Sequence, residues 1–246
     1  MASASRGGVV TPGIGERVAA IDWEGVGADL DAVGHARIRD LLTEGECRSL
    51  AADFDDDDRF RSTIDMARHS FGEGRYRYFA NPLPSIVCEL REELYRPLAS
   101  IANGWRELLG SDERFPATLE GFNAVCHSAG QERPTPLLLR YETGGYNCLH
   151  QDLYGDVAFP LQVAVLLSTP GEDFDGGEFL LVEQRPRRQS RGEAIALAMG
   201  EAVVFPNRER PVQGKRGFHR TQMRHGVSRV QRGTRTTLGI IFHDAT

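Results

Sequence analysis

The sequence predicts an α+β fold: a double-stranded β-helix, or jelly-roll, core buttressed by N-terminal helices. Two observations carry this. Long helical periodicity is confined to the first half, most clearly from Pro84 to Leu109. After Pro116 the texture changes to short apolar or alternating runs divided by Gly-Gly, Pro-Gly and Asp-Gly pairs, which indicates a sandwich or barrel. Segregated helices and strands give α+β.

Residues 1–20, rich in Gly, Ala and Ser, read as a flexible arm. Residues 21–246 read as one domain, helix-rich over 36–115 and jelly-roll over 116–246. The run from Ala36 to Leu42 reads as a strand, followed by a helix opened by Thr43 as N-cap with Glu46 in the capping-box position. The acidic run Asp55–Asp58 ends that helix as a solvated turn, because adjacent carboxylates rarely converge on one ion. Gly74 to Phe79 alternates and reads as a strand. Ile86, Leu90, Leu94, Leu98, Ile101, Trp105 and Leu108 mark the main buttressing helix, which Pro97 is expected to kink or break. Strands are then expected at Leu137–Tyr141, Leu161–Ser168, Glu178–Glu183, Ala194–Leu197, Ala202–Phe205 and Thr236–Phe242.

Composition bounds the function. The chain has 246 residues and ordinary hydrophobic and charged fractions of 40% and 26%, which fit a soluble globular protein. No apolar run approaches the roughly 20 residues that span a bilayer. Met1 to Gly15 carries one Arg and no apolar stretch of the secretory kind, so a cytoplasmic location with no membrane partner is expected. Cys47, Cys88, Cys126 and Cys148 form no CxxC pair and are expected as free thiols. The first three read as small hydrophobes, whereas Cys148 stands two residues before His150. The net charge is −6, yet Arg185 to Arg235 holds 13 basic residues against Glu193, Glu201 and Glu209. This asymmetry suggests that the C-terminal part meets an anion, unless strands of both halves interleave and mix the charges.

The chemistry centres on His150-Gln151-Asp152. In an extended segment, residues i and i+2 point to one side, so an imidazole nitrogen and a carboxylate oxygen reach a common point. His225 follows 75 residues later and completes two histidines and a carboxylate, the facial triad of non-haem iron(II) oxygenases. Unrelated histidines would be the plainer reading of the spacing. Arg235, across a turn at Gly233, heads the last strand. If that strand shares a barrel with His225, Arg235 enters the cavity, where a buried guanidinium needs an anion and suits a carboxylate bidentately. A ligand that chelates iron at one end and carries a carboxylate at the other fits both groups; a strand-end arginine on a surface acid is the alternative.

Tyr141-Glu142-Thr143-Gly144 running into His150-Gln151-Asp152 resembles the Tyr-x-x-Gly…His-x-Asp block of the prolyl 4-hydroxylase-like branch of 2-oxoglutarate/iron(II) dioxygenases. Gly176-Gly177-Glu178-Phe179, Gly200 to Pro206, and His225-x-Val227…Gly233-x-Arg235 are similar to three further motifs of that superfamily, in the same order. Together they cover residues 137–246. Leu138 to Tyr141, His150 to Gln162 and Arg224 to Arg229 more closely resemble a prokaryotic family of nucleic-acid-directed oxygenases proposed to act on damaged DNA. The ten-residue interval from His225 to Arg235 keeps the prolyl-hydroxylase pattern.

The resemblance implies a fold, a cofactor set and roles. Iron(II) would be held by His150, Asp152 and His225, and 2-oxoglutarate by Arg235 with Tyr141. Dioxygen would be consumed, with succinate and carbon dioxide as co-products, to hydroxylate or oxidatively demethylate a substrate. Tyr141 has a plainer use as a half-buried strand tyrosine. His219 is an alternative third ligand that lacks the flanking motif, while His127 and His243 read as structural. Leu149, Phe159, Val163 and Phe205 are candidate lining residues. Basic segments 185–191 and 215–224 are expected as connections at the open end, suited to phosphate backbones or an acidic peptide. Tyr146, Tyr154 and Phe218 could stack a base, though structural use is the simpler assignment. Three functions follow from these residues: an oxygenase of alkylated nucleobases, a peptide or small-molecule hydroxylase, and a non-catalytic metal-binding jelly-roll sensor.

Overall fold

A computed structural model describes residues 12–152, 155–185 and 187–246. The elements of the first half are α1 (Ile14–Ala19), α2 (Trp23–Val33), β1 (Ala36–Ile38), α3 (Glu44–Asp53), β2 (Phe60–Asp65), β3 (Gly72–Glu73), β4 (Arg75–Phe79), α4 (Ser85–Leu108) and α5 (Leu119–Ser128). The second half is β5 (Leu137–Glu142), β6 (Tyr146–His150), β7 (Leu161–Leu166), β8 (Phe174–Gly176), β9 (Phe179–Gln184), β10 (Arg191–Ile195), β11 (Ala202–Pro206), β12 (Glu209–Gly214), β13 (Gly217–Val227) and β14 (Val230–Ile240). These strands form two antiparallel sheets. The larger runs β1-β11-β7-β14-β5-β4-β2, with β8 also on β14. The smaller runs β10-β9-β13-β6-β3, with β12 also on β13. The α+β jelly-roll expectation is met.

Local chemistry explains several elements. Thr43 and Glu46 close the capping box, with Glu46 N–H donating to Thr43 Oγ1 at 3.2 Å and Thr43 N–H to Glu46 Oε2 at 2.7 Å. The Asp55–Asp58 run leaves α3 through a turn into a single 3-10 turn, Asp57–Arg59, with Asp55 meeting Arg140 and Asp57 meeting Arg77. Helix α4 lays Leu90, Leu94 and Leu98 on the outer face of the larger sheet, where they share one core with Leu138, Val165, Val204, Leu238 and Ile240. A second core, with Leu166, Phe179, Leu181, Val203 and Phe205, lies between the sheets.

Three expectations need correction. Pro97 does not break α4, which runs unbroken from Ser85 to Leu108. Leu90, Leu94, Leu98 and Ala102 are all fully buried on both sides of it, and that packing outweighs the roughly 3 kcal/mol that an interior proline costs. The arm expected over residues 1–20 does not hold for its described part: residues 1–11 lie outside the described residues, and α1 buries Ile14 and Val18 against the core. Segment 215–224 is not a connection. Most of it is the start of the 11-residue strand β13, paired with β12 across a Gly214–Gly217 turn. In the helix-rich front half, β1, β2 and β4 are strands of the larger sheet. Two of these strands, β1 and β4, were expected; β2 and the β12–β13 hairpin were not, because their polar and arginine-rich sequences lack apolar alternation.

Candidate metal centre and cavity

Strand alternation assembles the site. On β14, Arg235, Thr237 and Gly239 face the space between the sheets, as does Ile241 just beyond, while Leu238 and Ile240 face the helices. On β5, Leu137, Leu139 and Tyr141 face inward in the same way. The facing sheet supplies His225, which pairs in register with His150 across β13 and β6. The result is a cavity of about 360 Å³ lined by these groups with Asp152, Gln162, Phe179 and Phe205.

The ligand atoms of His150, Asp152 and His225 all lie within 4.8 Å of one another. His150 Nε2 is 3.5 Å from Asp152 Oδ1, and His225 Nε2 is 3.2 Å from Asp152 Oδ2. His150 Nδ1 lies 2.8 Å from the Cys148 carbonyl. A carbonyl can only accept, so Nδ1 carries the proton and Nε2 keeps its lone pair toward the centre. Gln162 Nε2 donates to Asp152 Oδ2 at 3.0 Å. Burial pushes the Asp152 carboxyl up, but hydrogen bonds and charge from His150 and His225 hold it well below the usual range. Burial lowers His225, further assisted by the charge of His150. On His150 burial also lowers the pKa, but Asp152 outweighs it and the group is raised. Such a donor set, with open space in front, suits iron(II).

Arg235 is 3% exposed, on β14 opposite Tyr141. Its guanidinium donates to Thr237 Oγ1, while its buried Nε has no partner. Among the described residues no carboxylate lies within ion-pair distance of it. Burial lowers its pKa to about 10, with Tyr141 and Glu178 opposing. Tyr141 is fully buried and its phenol is pushed up to about 12 by burial, with Arg235 pulling the other way. Its hydroxyl accepts from Asn147 Nδ2 at 3.2 Å. Gly177, at φ +64°, allows Arg235 to pass: a Cβ there would stand 2.8 Å from Arg235 Cδ. A buried cation without an anion, in the same cavity as the triad, is fitted for an anionic ligand.

A family model described as oxygenases catalysing oxidative methylation of damaged DNA matches residues 74–245. The chain belongs to this oxygenase family. An uncharacterized protein of Mycobacterium tuberculosis is 49% identical over 167 residues, 68% of this oxygenase and 72% of that relative. Among solved structures, a Pseudomonas putida prolyl-4-hydroxylase has 17% identity and a TM-score of 0.54, covering 91% of the oxygenase and 99% of that chain. A 2OG-Fe(II) oxygenase-family oxidoreductase from Burkholderia pseudomallei has 16% identity and a TM-score of 0.53, covering 92% and 94%. These likenesses carry the fold. The oxygenase is an oxidoreductase, and iron(II), 2-oxoglutarate and dioxygen are the cofactors of its class; the triad and the unpaired guanidinium fit them.

The other candidates fall elsewhere. His219 is exposed on β13 opposite Val212. His127 meets Asp244 at 3.2 Å, and His243 Nδ1 accepts from Phe159 N–H. Leu149, Val163 and Phe205 line the cavity, but Phe159 does not. Phe159 sits instead in an aromatic cluster with Tyr95, Phe115, Phe122 and Phe242. Cys148 is an exposed thiol at the cavity wall, Cys47 and Cys126 are buried, and Cys88 is half-buried. Tyr146 carries Arg229 over its ring, Phe218 is at the β12–β13 hairpin, and Tyr154 lies outside the described residues. Phe71 and Tyr76 line the cavity instead. They were missed, as were Asn147, Gln162 and Thr237. Alternation along β7 and β14 points to Gln162 and Thr237, once one inward residue per strand is known.

No helix among the described residues is long and apolar enough to cross a membrane.

Proposed function

We propose that His150, Asp152 and His225 hold iron(II), that Arg235 and Tyr141 seat the far carboxylate of 2-oxoglutarate, and that the substrate is an alkylated nucleobase in DNA or RNA. The observation that carries the iron and 2-oxoglutarate reading is Arg235, a buried cation with no carboxylate partner among the described residues, opening into the cavity of the triad; the nucleobase rests on the family's description. The bound iron, with 2-oxoglutarate and dioxygen, supplies oxidation: one oxygen atom enters succinate as carbon dioxide leaves, the other enters a substrate C–H bond.

The protein's own groups do the rest. Cys148 fixes the His150 tautomer through its carbonyl. Gln162 holds Asp152 in place. The Arg235 fork and the Tyr141 hydroxyl orient the co-substrate. Leu139, Phe179 and Phe205 exclude water around the reacting carbon. The family's link to damaged DNA favours an N-methyl carbon, whose hydroxylated product sheds formaldehyde. The ten-residue interval between His225 and Arg235 favours a second reading, a peptide hydroxylase of prolyl type.

The test begins with anaerobic titration of iron(II) and 2-oxoglutarate, read by the weak visible charge-transfer band. The wild type is expected to form it and His225→Ala is not; an unaltered band in that variant removes His225 from the site. Oxygen is then added with methylated oligonucleotides or with proline-containing peptides. Formaldehyde with the oligonucleotides supports the nucleobase reading. Succinate coupled only to peptide, without formaldehyde, overturns it.

A further inference from the structure

We propose that the oxygenase grips the phosphate backbone of its nucleic-acid substrate in a basic cleft between two hairpin ends, remote from the iron site. This rests on the nucleobase reading above and adds where the strand is held. Arg185, Arg188 and segment 215–219 are far apart in the chain, but the pairing of β9 with β13, ending at Gln184 and Gln222, brings them together. Arg185, Arg188, Gln213, Gly214, Lys215 and His219 line one cleft.

The charge there is unbalanced by construction. Each neighbouring acid already has its cation: Glu183 is held by Arg185 and Arg210, Glu193 by Arg191, and Glu209 by Arg220. Arg187, Arg188, Lys215 and Arg216 are exposed, and among the described residues none has a carboxylate within ion-pair distance. Lys215, the one lysine of the chain, is among them. Like charges gathered without acids are mutually repulsive, and a polyanion relieves that repulsion while releasing its counterions.

Geometry makes the cleft a companion to the iron site. His219, Thr221, Met223 and His225 alternate onto one face of β13. His219 is therefore about 20 Å along that face from His225, at roughly 3.3 Å per residue. A nucleic-acid strand advances about 3.4 Å per nucleotide, so a base in the cavity and a phosphate in the cleft are on the order of six nucleotides apart. Short substrates reach the iron site alone; longer ones reach both.

The test is fluorescence anisotropy of the apoprotein with labelled single-stranded methylated DNA across a salt series. A trinucleotide is compared with an oligonucleotide long enough to reach both sites, and wild type with the double variant Arg188→Glu, Lys215→Glu. The long oligonucleotide is expected to bind more tightly than the trinucleotide. The variant should lose affinity for it on the order of tenfold, with a salt slope shallower by about 1.4, the share of two phosphates in a single strand. Trinucleotide binding should move far less. Equal affinity and slope in the two proteins overturn the proposal. A polyglutamate peptide that competes as strongly as the oligonucleotide overturns it in favour of an acidic protein partner. The iron(II)–2-oxoglutarate band reports that the variant is folded, and the milder pair Arg188→Gln, Lys215→Gln carries the test if that band is lost. Cleft-dependent binding without formaldehyde sustains this proposal while overturning the demethylation reading.

Discussion

Asp152 Oδ2 sits between two partners, His225 Nε2 at 3.2 Å and Gln162 Nε2 at 3.0 Å. A carboxylate so clamped presents its other oxygen in a fixed direction. Removing the Gln162 amide in Gln162→Leu is expected to weaken iron(II) affinity between about 10- and 100-fold, the usual effect of losing a partner behind a metal ligand. Anaerobic iron titration measures it; an unchanged affinity would show that Asp152 needs no such support. His150 and Asp152 were legible from sequence because two residues of extended chain fix their relation. Gln162 was not, since its role depends on which face of β7 meets the other sheet. His243 shows a different residue-scale effect. It is 1% exposed, and burial lowers its pKa to about 4 from 6.5. The native ring stays neutral while the unfolded chain binds a proton, so its contribution is complete above pH 6.5 and is lost as pH falls from 6.5 toward 4. The full loss is roughly 3 kcal/mol. His243→Gln keeps an acceptor for Phe159 N–H, and its denaturation midpoint should fall less steeply over that window. An equally steep fall would place the acid sensitivity elsewhere.

Helix α4 is the element that braces the site from behind. Its buried Arg91 donates to the Phe242 carbonyl and to Asp244, both at 2.6 Å, and so fixes the chain leaving β14. That strand carries Arg235. The periodicity of α4 was plain in the sequence, and the break expected at Pro97 was not realised, because a local rule competed with an apolar face buried along the whole helix. The cost of the proline should still be measurable. Its missing N–H leaves the carbonyl four residues back without its helical donor, while its ring restricts the unfolded chain by less. Pro97→Ala is therefore expected to stabilise the protein by about 1–3 kcal/mol, read as a higher denaturant midpoint. A lower midpoint would mean that the ring's own packing outweighs the restored bond. The β12–β13 hairpin is the opposite case: its sequence is polar and basic, so periodicity hid a strand that its pairing with β9 and β6 establishes.

Across the whole molecule, the halves that composition separates are one structure. β1 pairs with β11 and β4 with β5, so strands of the first half extend both sides of the larger sheet. Ion pairs also cross between the halves, as in Arg37–Glu201, Arg48–Asp173 and Arg140–Asp55. The charge asymmetry read from sequence nevertheless survives in part: Glu183, Glu193 and Glu209 are taken up by Arg210, Arg191 and Arg220, and exposed Arg187, Arg188, Lys215 and Arg216 have no carboxylate within ion-pair distance among the described residues. Sequence could register that excess and the change of texture near Pro116, but not the strand order, which is set by contacts between residues more than 100 positions apart. The second half holds every proposed iron and 2-oxoglutarate ligand, which invites the idea that 116–246 could act alone. We expect that it cannot. Without α4, the faces of Leu138, Val165, Val204, Leu238 and Ile240 would meet water, each at about 1.5–3 kcal/mol. Without β4, the backbone of β5 would become an open edge suited to aggregation. A fragment of residues 116–246 should be insoluble, or bind hydrophobic dye and unfold without cooperativity. A soluble fragment with a sharp thermal transition and an intact iron(II)–2-oxoglutarate band would show instead that the two sheets hold their shape without the helices.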